Sequence, residues 1–145
     1  MEIIPHFWVH QTPKNKSFIS SKKIKSVIFL SKKTIFYKNL DIEQIRIPLE
    51  KTDNNKNDNI IIYQHLYDVS YFIFEKIINN KNILVIGNEN DSSIMYIFIL
   101  AYYIRYGKLD IKNSLNFLNS KIIIDSFNYH DALFKFYKEV RKLDT

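Results

Sequence analysis

Residues 83–104 read as a buried strand, a polar loop and a buried helix in immediate succession, and no other stretch limits the fold as tightly. Ile83-Leu84-Val85-Ile86 is a continuous apolar run of strand length, the pattern of a strand covered on both faces, as in the middle of an α/β sheet. Gly87 to Ser93 is polar throughout. Ile94 to Ile104 is apolar over 11 residues, well short of the ~20 needed to cross a bilayer, and so reads as a buried helix. Gly107 stands where such a helix would be capped.

The flanking sequence supplies the rest of an α/β sandwich. Phe7-Trp8-Val9, Val27 to Leu30, Thr34 to Tyr37 and Gln44 to Leu49 are β-branched or aromatic runs of strand length between polar breaks. Ser20 to Ile24 is a candidate short helix. Residues 51–59 contain no apolar side chain and read as a solvated loop. From Gln64 to Ile78, Leu66, Val69, Phe72, Ile73 and Ile77 recur at helical spacing. Asp110 is placed to cap a helix bearing Ile111, Leu115 and Leu118. Asn128 with Asp131 resembles a capping box before a last helix striped by Leu133, Phe136, Tyr137 and Val140. Residues 1–145 are expected to form one domain. No secretory leader is evident, so a cytoplasmic protein without membrane insertion is expected.

Charge and composition remove function classes. The chain has no cysteine, so it builds no disulfide, no thiolate-bound metal and no thiolate nucleophile. The net charge of +6 is uneven: residues 1–40 hold eight lysines, among them Lys22, Lys23 and Lys25, against Glu2 alone. A cluster of this kind attracts nucleic acid or another anionic surface. The stretch has no arginine, however, and so lacks the planar fork suited to phosphate and base recognition. Abundant Ile, Lys, Asn and Tyr match an AT-rich coding sequence, which gives some of the lysine a neutral origin. The four histidines are scattered. His6 and His10, read as one strand, would lie ~13 Å apart, and no metal or cofactor site is expected. Tyr96, Tyr102, Tyr103 and Tyr106 read as core and rim packing.

A polar loop between a buried strand and a helix is where α/β proteins commonly bind anions, because free N–H groups and the helix dipole converge there. A phosphate-loop NTPase would need GxxxxGK[ST]. Gly87-Asn88-Glu89-Asn90-Asp91-Ser92-Ser93 has no second glycine and no lysine, which excludes that class.

The arrangement resembles the dual-specificity protein phosphatases, within the cysteine-dependent tyrosine phosphatase superfamily. Their signature is a strand ending in Val-His, then Cys-x-x-Gly-x-x-Arg-Ser/Thr, then a helix containing Ala-Tyr-Leu. Ile83 to Val85 match the strand and Ala101-Tyr102-Tyr103-Ile104 the helix. The resemblance extends along the chain through Ile4 to Val9, Ile24 to Ser31, Ile45 to Leu49, Ser114 to Lys121 and Tyr129 to Tyr137. It implies a central, mostly parallel mixed sheet of about five strands flanked by helices.

Within the loop the resemblance implies loss of the chemistry. Ile86 stands where His is expected, Gly87 at the nucleophile, Asn90 at the loop glycine, Ser93 at the phosphate-binding arginine and Ile94 at the Ser/Thr. Gly87 cannot form a phosphoenzyme, and Ser93 cannot supply a bidentate charge. Asp53 is the remaining candidate for the general acid. Glu89 and Asp91 would repel phosphate, and Asp91 or Ser92 is placed to cap the helix. The expectation is a catalytically inactive member acting by protein binding. Its partner would be a phosphorylated signalling protein or an active phosphatase. Large DNA viruses encode members of this family, so the resemblance, with the AT-rich usage, raises a viral source and interference with host signalling. Oligomeric state is left open. The alternative is binding of nucleic acid or an anionic surface through Lys22, Lys23 and Lys25.

Overall fold

The computed structural model describes residues 1–143 and places the apolar run 83–86 at the centre of a five-stranded sheet. The strands are β1 (Glu2–Ile4), β2 (Phe7–His10), β3 (Ile24–Phe29), β4 (Glu43–Arg46) and β5 (Asn82–Ile86), in the order β1-β2-β5-β3-β4. β1 pairs antiparallel with β2, and every other pairing is parallel. Ile83 and Val85 face one core and Leu84 and Ile86 the other, so β5 is covered on both sides as its sequence predicts.

The larger layer holds α2 (Asn55–Ile78), α3 (Ser92–Tyr106), α4 (Ile111–Asn119) and α5 (His130–Leu143), and the smaller holds α1 (Lys16–Ser21). Helix α3 is buried from Ser93 to Ile104, which explains why its sequence is apolar on every side. Tyr96, Tyr102 and Tyr103 belong to that core, with Tyr106 packed at its edge. The side chain of Asp110 caps α4 by accepting from the Asn113 N–H.

Several local expectations are corrected. Thr34 to Tyr37 forms no strand: Phe36 and Tyr37 lay their rings against Phe29, and Tyr37 is tied to Lys14 and Gln44. The short helix precedes its expected place, because Asn15 caps it by accepting from Phe18 N–H and the chain reverses at Lys23, φ 54°. His6 sits in the β1–β2 turn at φ 75°, outside β2, so it does not share a strand with His10. Asn128 makes no capping box with Asp131; its side chain points to Asp91 at 3.5 Å. Gly107 ends α3 with right-handed backbone, and Lys108 takes the left-handed turn at φ 58°. Glycine is required at 107 for space, since a Cβ there would lie 2.6 Å from Tyr103 O.

The largest correction concerns residues 51–59. Asn55 to Asn59 are the first turn of α2, and Asp58 and Asn59 are buried. Asn54 caps the helix by accepting from Asn57 N–H. Asp58 accepts from both Thr52 N–H (2.8 Å) and Thr52 Oγ1 (2.6 Å). Asn59 Oδ1 reaches across to accept from Ala132 N–H at 2.9 Å, serving the N-terminus of α5. Polar residues go inside here because each has a partner.

Candidate functional site

The loop between β5 and α3 leaves the carboxyl end of the central strand, the usual ligand position in a parallel sheet. Its first residue, Gly87, donates its N–H to His10 O at 2.8 Å. That bond extends the β2–β5 pairing by one step and brings Gln11 level with Gly87. A Cβ at position 87 would meet Gln11 Oε1 at 2.5 Å and Met95 Cβ at 3.3 Å. The Gln11 amide therefore occupies the space that a side chain at 87 would enter, and its Nε2 donates to Asn88 O.

Asn88 pins the loop from below. It is 1% exposed; its Nδ2 donates to Leu30 O (3.1 Å) and Leu49 O (3.0 Å), and its Oδ1 accepts from Asn90 N–H (3.0 Å). One side chain thus joins the ends of β3 and β5 to the segment leaving β4. Its backbone oxygen also accepts from Asp91 N–H at 3.2 Å.

Asp91 closes the loop from above. Its Oδ1 caps α3 by accepting from Ser93 N–H at 2.9 Å, and its backbone oxygen takes Ile94 N–H at 3.2 Å. Its Oδ2 accepts the Tyr129 hydroxyl at 2.7 Å and Asn128 Nδ2 at 3.5 Å. Burial, reinforced by the Asp91 carboxylate, pushes the Tyr129 phenol far above its ordinary range. Ser93 is fully buried; its Oγ donates to Ser126 O (3.1 Å) and accepts from Asn128 N–H (3.2 Å). Ser92 Oγ donates to Asp125 at 3.3 Å. Segment 125–129 thereby clasps the start of α3, and Asn55 Nδ2 holds that segment through Asn128 O.

The donors of Gly87, Asn90, Asp91, Ser93 and Ile94 are all spent on the protein's own oxygens. A helix N-terminus attracts an anion through free N–H groups, and here the Asp91 carboxylate takes that of Ser93.

No family model matches the sequence, and no curated protein matches it. Solved structures do match over nearly the whole chain. Human DUSP28 superposes with a TM-score of 0.81 at 13% identity, covering 98% of each chain. A mouse dual specificity phosphatase complexed with zinc tungstate gives 0.81 at 12%, covering 99% of this chain and 89% of its own. The chain has the dual-specificity phosphatase fold. A human tyrosine phosphatase-like serine/threonine/tyrosine-interacting protein shares that fold at 0.72 and 14% identity, covering 99% of this chain and 95% of its own. The five-stranded mixed sheet with flanking helices expected from the sequence is thus the observed architecture.

Within that phosphatase fold, the other candidate residues fall in different places. Ile86 ends β5 in the core, and Glu89 and Asn90 are exposed at the loop tip. Asp53 is exposed ahead of the α2 cap, while the carboxylate built into that region is Asp58. Lys22, Lys23 and Lys25 lie at the other end of the sheet, around the start of β3. The Lys22 ammonium lies 5.5 Å above the Trp8 ring, while Lys23 and Lys25 line a cavity. Among the described residues, no group of three His, Asp or Glu side chains is placed to hold a metal ion, and no helix is long and apolar enough to cross a membrane.

Gln11 and Tyr129 are the site residues that sequence reasoning passed over, whereas Asn88 was read as part of the loop without its anchoring role. The signal for Gln11 was available: a parallel β2–β5 pair aligned at its ends puts the residue after β2 beside Gly87. The anchoring of Asn88 to Leu30 and Leu49 and the bond of Tyr129 to Asp91 gave no local signal, because those partners lie 39 or more residues away and 38 residues away.

Proposed function

We propose that this chain is a catalytically inactive protein of the phosphatase fold that acts by binding a protein partner. The carrying observation is the Asp91 carboxylate capping α3 above a loop whose first residue, Gly87, has no side chain. The family's chemistry needs a thiolate at that position and an arginine six residues on. Gly87 and the buried Ser93 stand there, and the sequence has no cysteine elsewhere. Gln11 further narrows the space in which phosphorus would sit. Asp53, exposed and without a nucleophile to assist, has no leaving group to protonate. By analogy, the phosphatase-like neighbour whose name describes an interacting protein offers a precedent for this use of the fold.

The surface that supports a protein partner is the outer face of α2. Ile60, Tyr67, Tyr71 and Ile78 are 45% to 61% exposed and follow one another at spacings of seven, four and seven residues, a single stripe along the helix. A surface helix normally turns polar residues outward. Arg105 lies 3.6 Å from the Tyr67 ring centroid, and Asp68 and Glu75, the latter 3.5 Å from Lys76, border the stripe; an apolar and aromatic face with charges of both signs at its edge suits a helical segment of a partner carrying apolar anchors.

Two measurements test the reading. Aryl phosphate hydrolysis by the purified protein should be indistinguishable from buffer; turnover would overturn the inactive assignment. A partner captured by the wild type should be lost with Tyr71→Glu and Ile78→Glu and kept with Lys112→Glu on α4. Equal capture by all variants would remove the α2 face from the proposal.

A further inference from the structure

At the end of the sheet opposite the signature loop lies a cavity of about 540 Å³ lined by His6, Lys23, Lys25, Ser26, Glu43, Lys76, Asn80, Lys81 and Asn82. The volume falls within the roughly 300–1,000 Å³ usual for small-molecule sites. Four ammonium groups face it against one carboxylate. That carboxylate is already committed: Glu43 binds Lys76 Nζ at 2.8 Å and accepts from Ser26 Oγ at 3.3 Å. The Lys76 ammonium beside it holds the Glu43 carboxyl below its usual range, and Glu43 raises Lys76 in return. On the wall Lys76 thus balances Glu43, and it also pairs with Glu75 at 3.5 Å, a residue outside the cavity lining. Lys23, Lys25 and Lys81 remain, and none of them makes an ion pair within 4.0 Å among the described residues.

The backbone around the cavity is unusual in the same place. Among the described residues, five non-glycine residues have positive φ, and three of them, His6 (75°), Lys23 (54°) and Asn80 (57°), line this one cavity. Each belongs to a turn that delivers the chain to a central strand, β2, β3 or β5, so three tight turns converge where those strands begin. Left-handed backbone at non-glycine residues is costly and gathers at functional sites. The carbonyl end of α2, which would repel an anion, is internally satisfied: the oxygens of Glu75, Lys76 and Ile77 accept from Asn79 Nδ2, Lys81 N–H and Asn80 N–H. The His6 ring and the Asn82 amide bond each other at 2.8 Å and add a polar side to the wall.

We infer that this cavity binds a small oligophosphate, a molecule carrying two or more phosphate groups in close succession. Three point charges without an arginine fork suit several phosphates spread over a concave surface better than one planar carboxylate. The site shares no residue with the signature loop, so it stands or falls independently of the function proposed above.

Titration calorimetry at low salt, with inorganic tripolyphosphate as the probe, tests the inference. One saturable site is expected, weakening steeply as salt rises. Lys25→Glu and Lys81→Glu should each lower affinity about tenfold or more, Lys25→Gln and Lys81→Gln by less, and Lys112→Glu not at all. Far-UV circular dichroism confirms that each variant is folded. Adding ATP and adenosine separates the sources: tighter binding of ATP than of tripolyphosphate, with none of adenosine, marks a nucleotide, whereas equal binding marks the phosphate chain itself. Absence of saturable binding, or an equal loss with Lys112→Glu, would overturn the inference. So would an oligonucleotide that binds more tightly than tripolyphosphate and depends equally on Lys14 and Lys32, since that describes an extended basic surface.

Discussion

The Tyr129 hydroxyl donates to Asp91 Oδ2 at 2.7 Å, and both residues are buried. This bond ties the segment before α5 to the cap of α3 across 38 residues of sequence. Tyr129→Phe leaves a buried carboxylate oxygen short of its main donor and should cost about 1.5–3 kcal/mol, read as a lower urea midpoint at unchanged slope. A change within 0.5 kcal/mol would mean that solvent reaches Asp91.

Asn88 serves three backbone groups at once. Asn88→Ala strands the oxygens of Leu30 and Leu49 and should destabilise by about 2–4 kcal/mol. Asn88→Asp should be worse, because it presses a carboxylate against two carbonyl oxygens. If Asn88→Asp proved the milder change, the amide orientation deduced from these partners would be wrong.

Gly87 and Ser93 respond differently to restoration of the family residues. Gly87→Cys meets the flexible end of Gln11 and should fold, losing about 1–2 kcal/mol. Its thiol, the sole one in the chain, should react with iodoacetamide more slowly than a free thiol because position 87 is buried. Ser93→Arg places a charge in a fully buried position and should cost more than about 3 kcal/mol. The combined variant with Asn90→Gly should therefore remain inactive. Substantial aryl phosphate turnover by that variant would mean that the loop readily adopts an open cradle.

His10 makes stability depend on acid. Burial, helped by the N-terminal ammonium and Lys14, lowers its imidazole from 6.5 to about 4; Met1 N lies 2.7 Å from its Nε2 and the Phe18 ring packs edge-on. A group depressed in the folded state contributes stability above its unfolded value and loses it as pH falls through the folded one. The melting temperature should accordingly drop between pH 6.5 and 4. Because His10 is partly exposed, screening limits its share to about 1 kcal/mol. His10→Gln should flatten the profile over that interval, and an unchanged profile would assign the acid sensitivity to other groups.

What the sequence disclosed depended on where each residue's partners lie. The unit from β5 through the loop to α3 was legible because its determinants are local: an unbroken apolar strand, a polar turn, and an aspartate two residues before the N–H it caps. The same local reading misplaced residues 51–59. Asp58 is satisfied by nearby Thr52, but Asn59 goes inside because Ala132 N–H awaits it 73 residues away, and no window on the sequence reveals that. Thr34 to Tyr37 failed for a related reason. Aromatic residues fit a strand pattern, but β4 already pairs with β3, so Phe36 and Tyr37 cover Phe29 instead. At the loop, Gln11 beside Gly87 follows from the register of β2 and β5, whereas the bond from Tyr129 to Asp91 became visible only in three dimensions.

The Asp91 cap has a thermodynamic consequence. A dissolved ligand stabilises a fold in proportion to the logarithm of its concentration; a carboxylate carried on the same chain is present at a fixed effective concentration and cannot be diluted away. The Ser93 N–H at the start of α3 is therefore always supplied with an acceptor by the chain itself. The contribution of this cap to stability should be indifferent to phosphate in the surroundings.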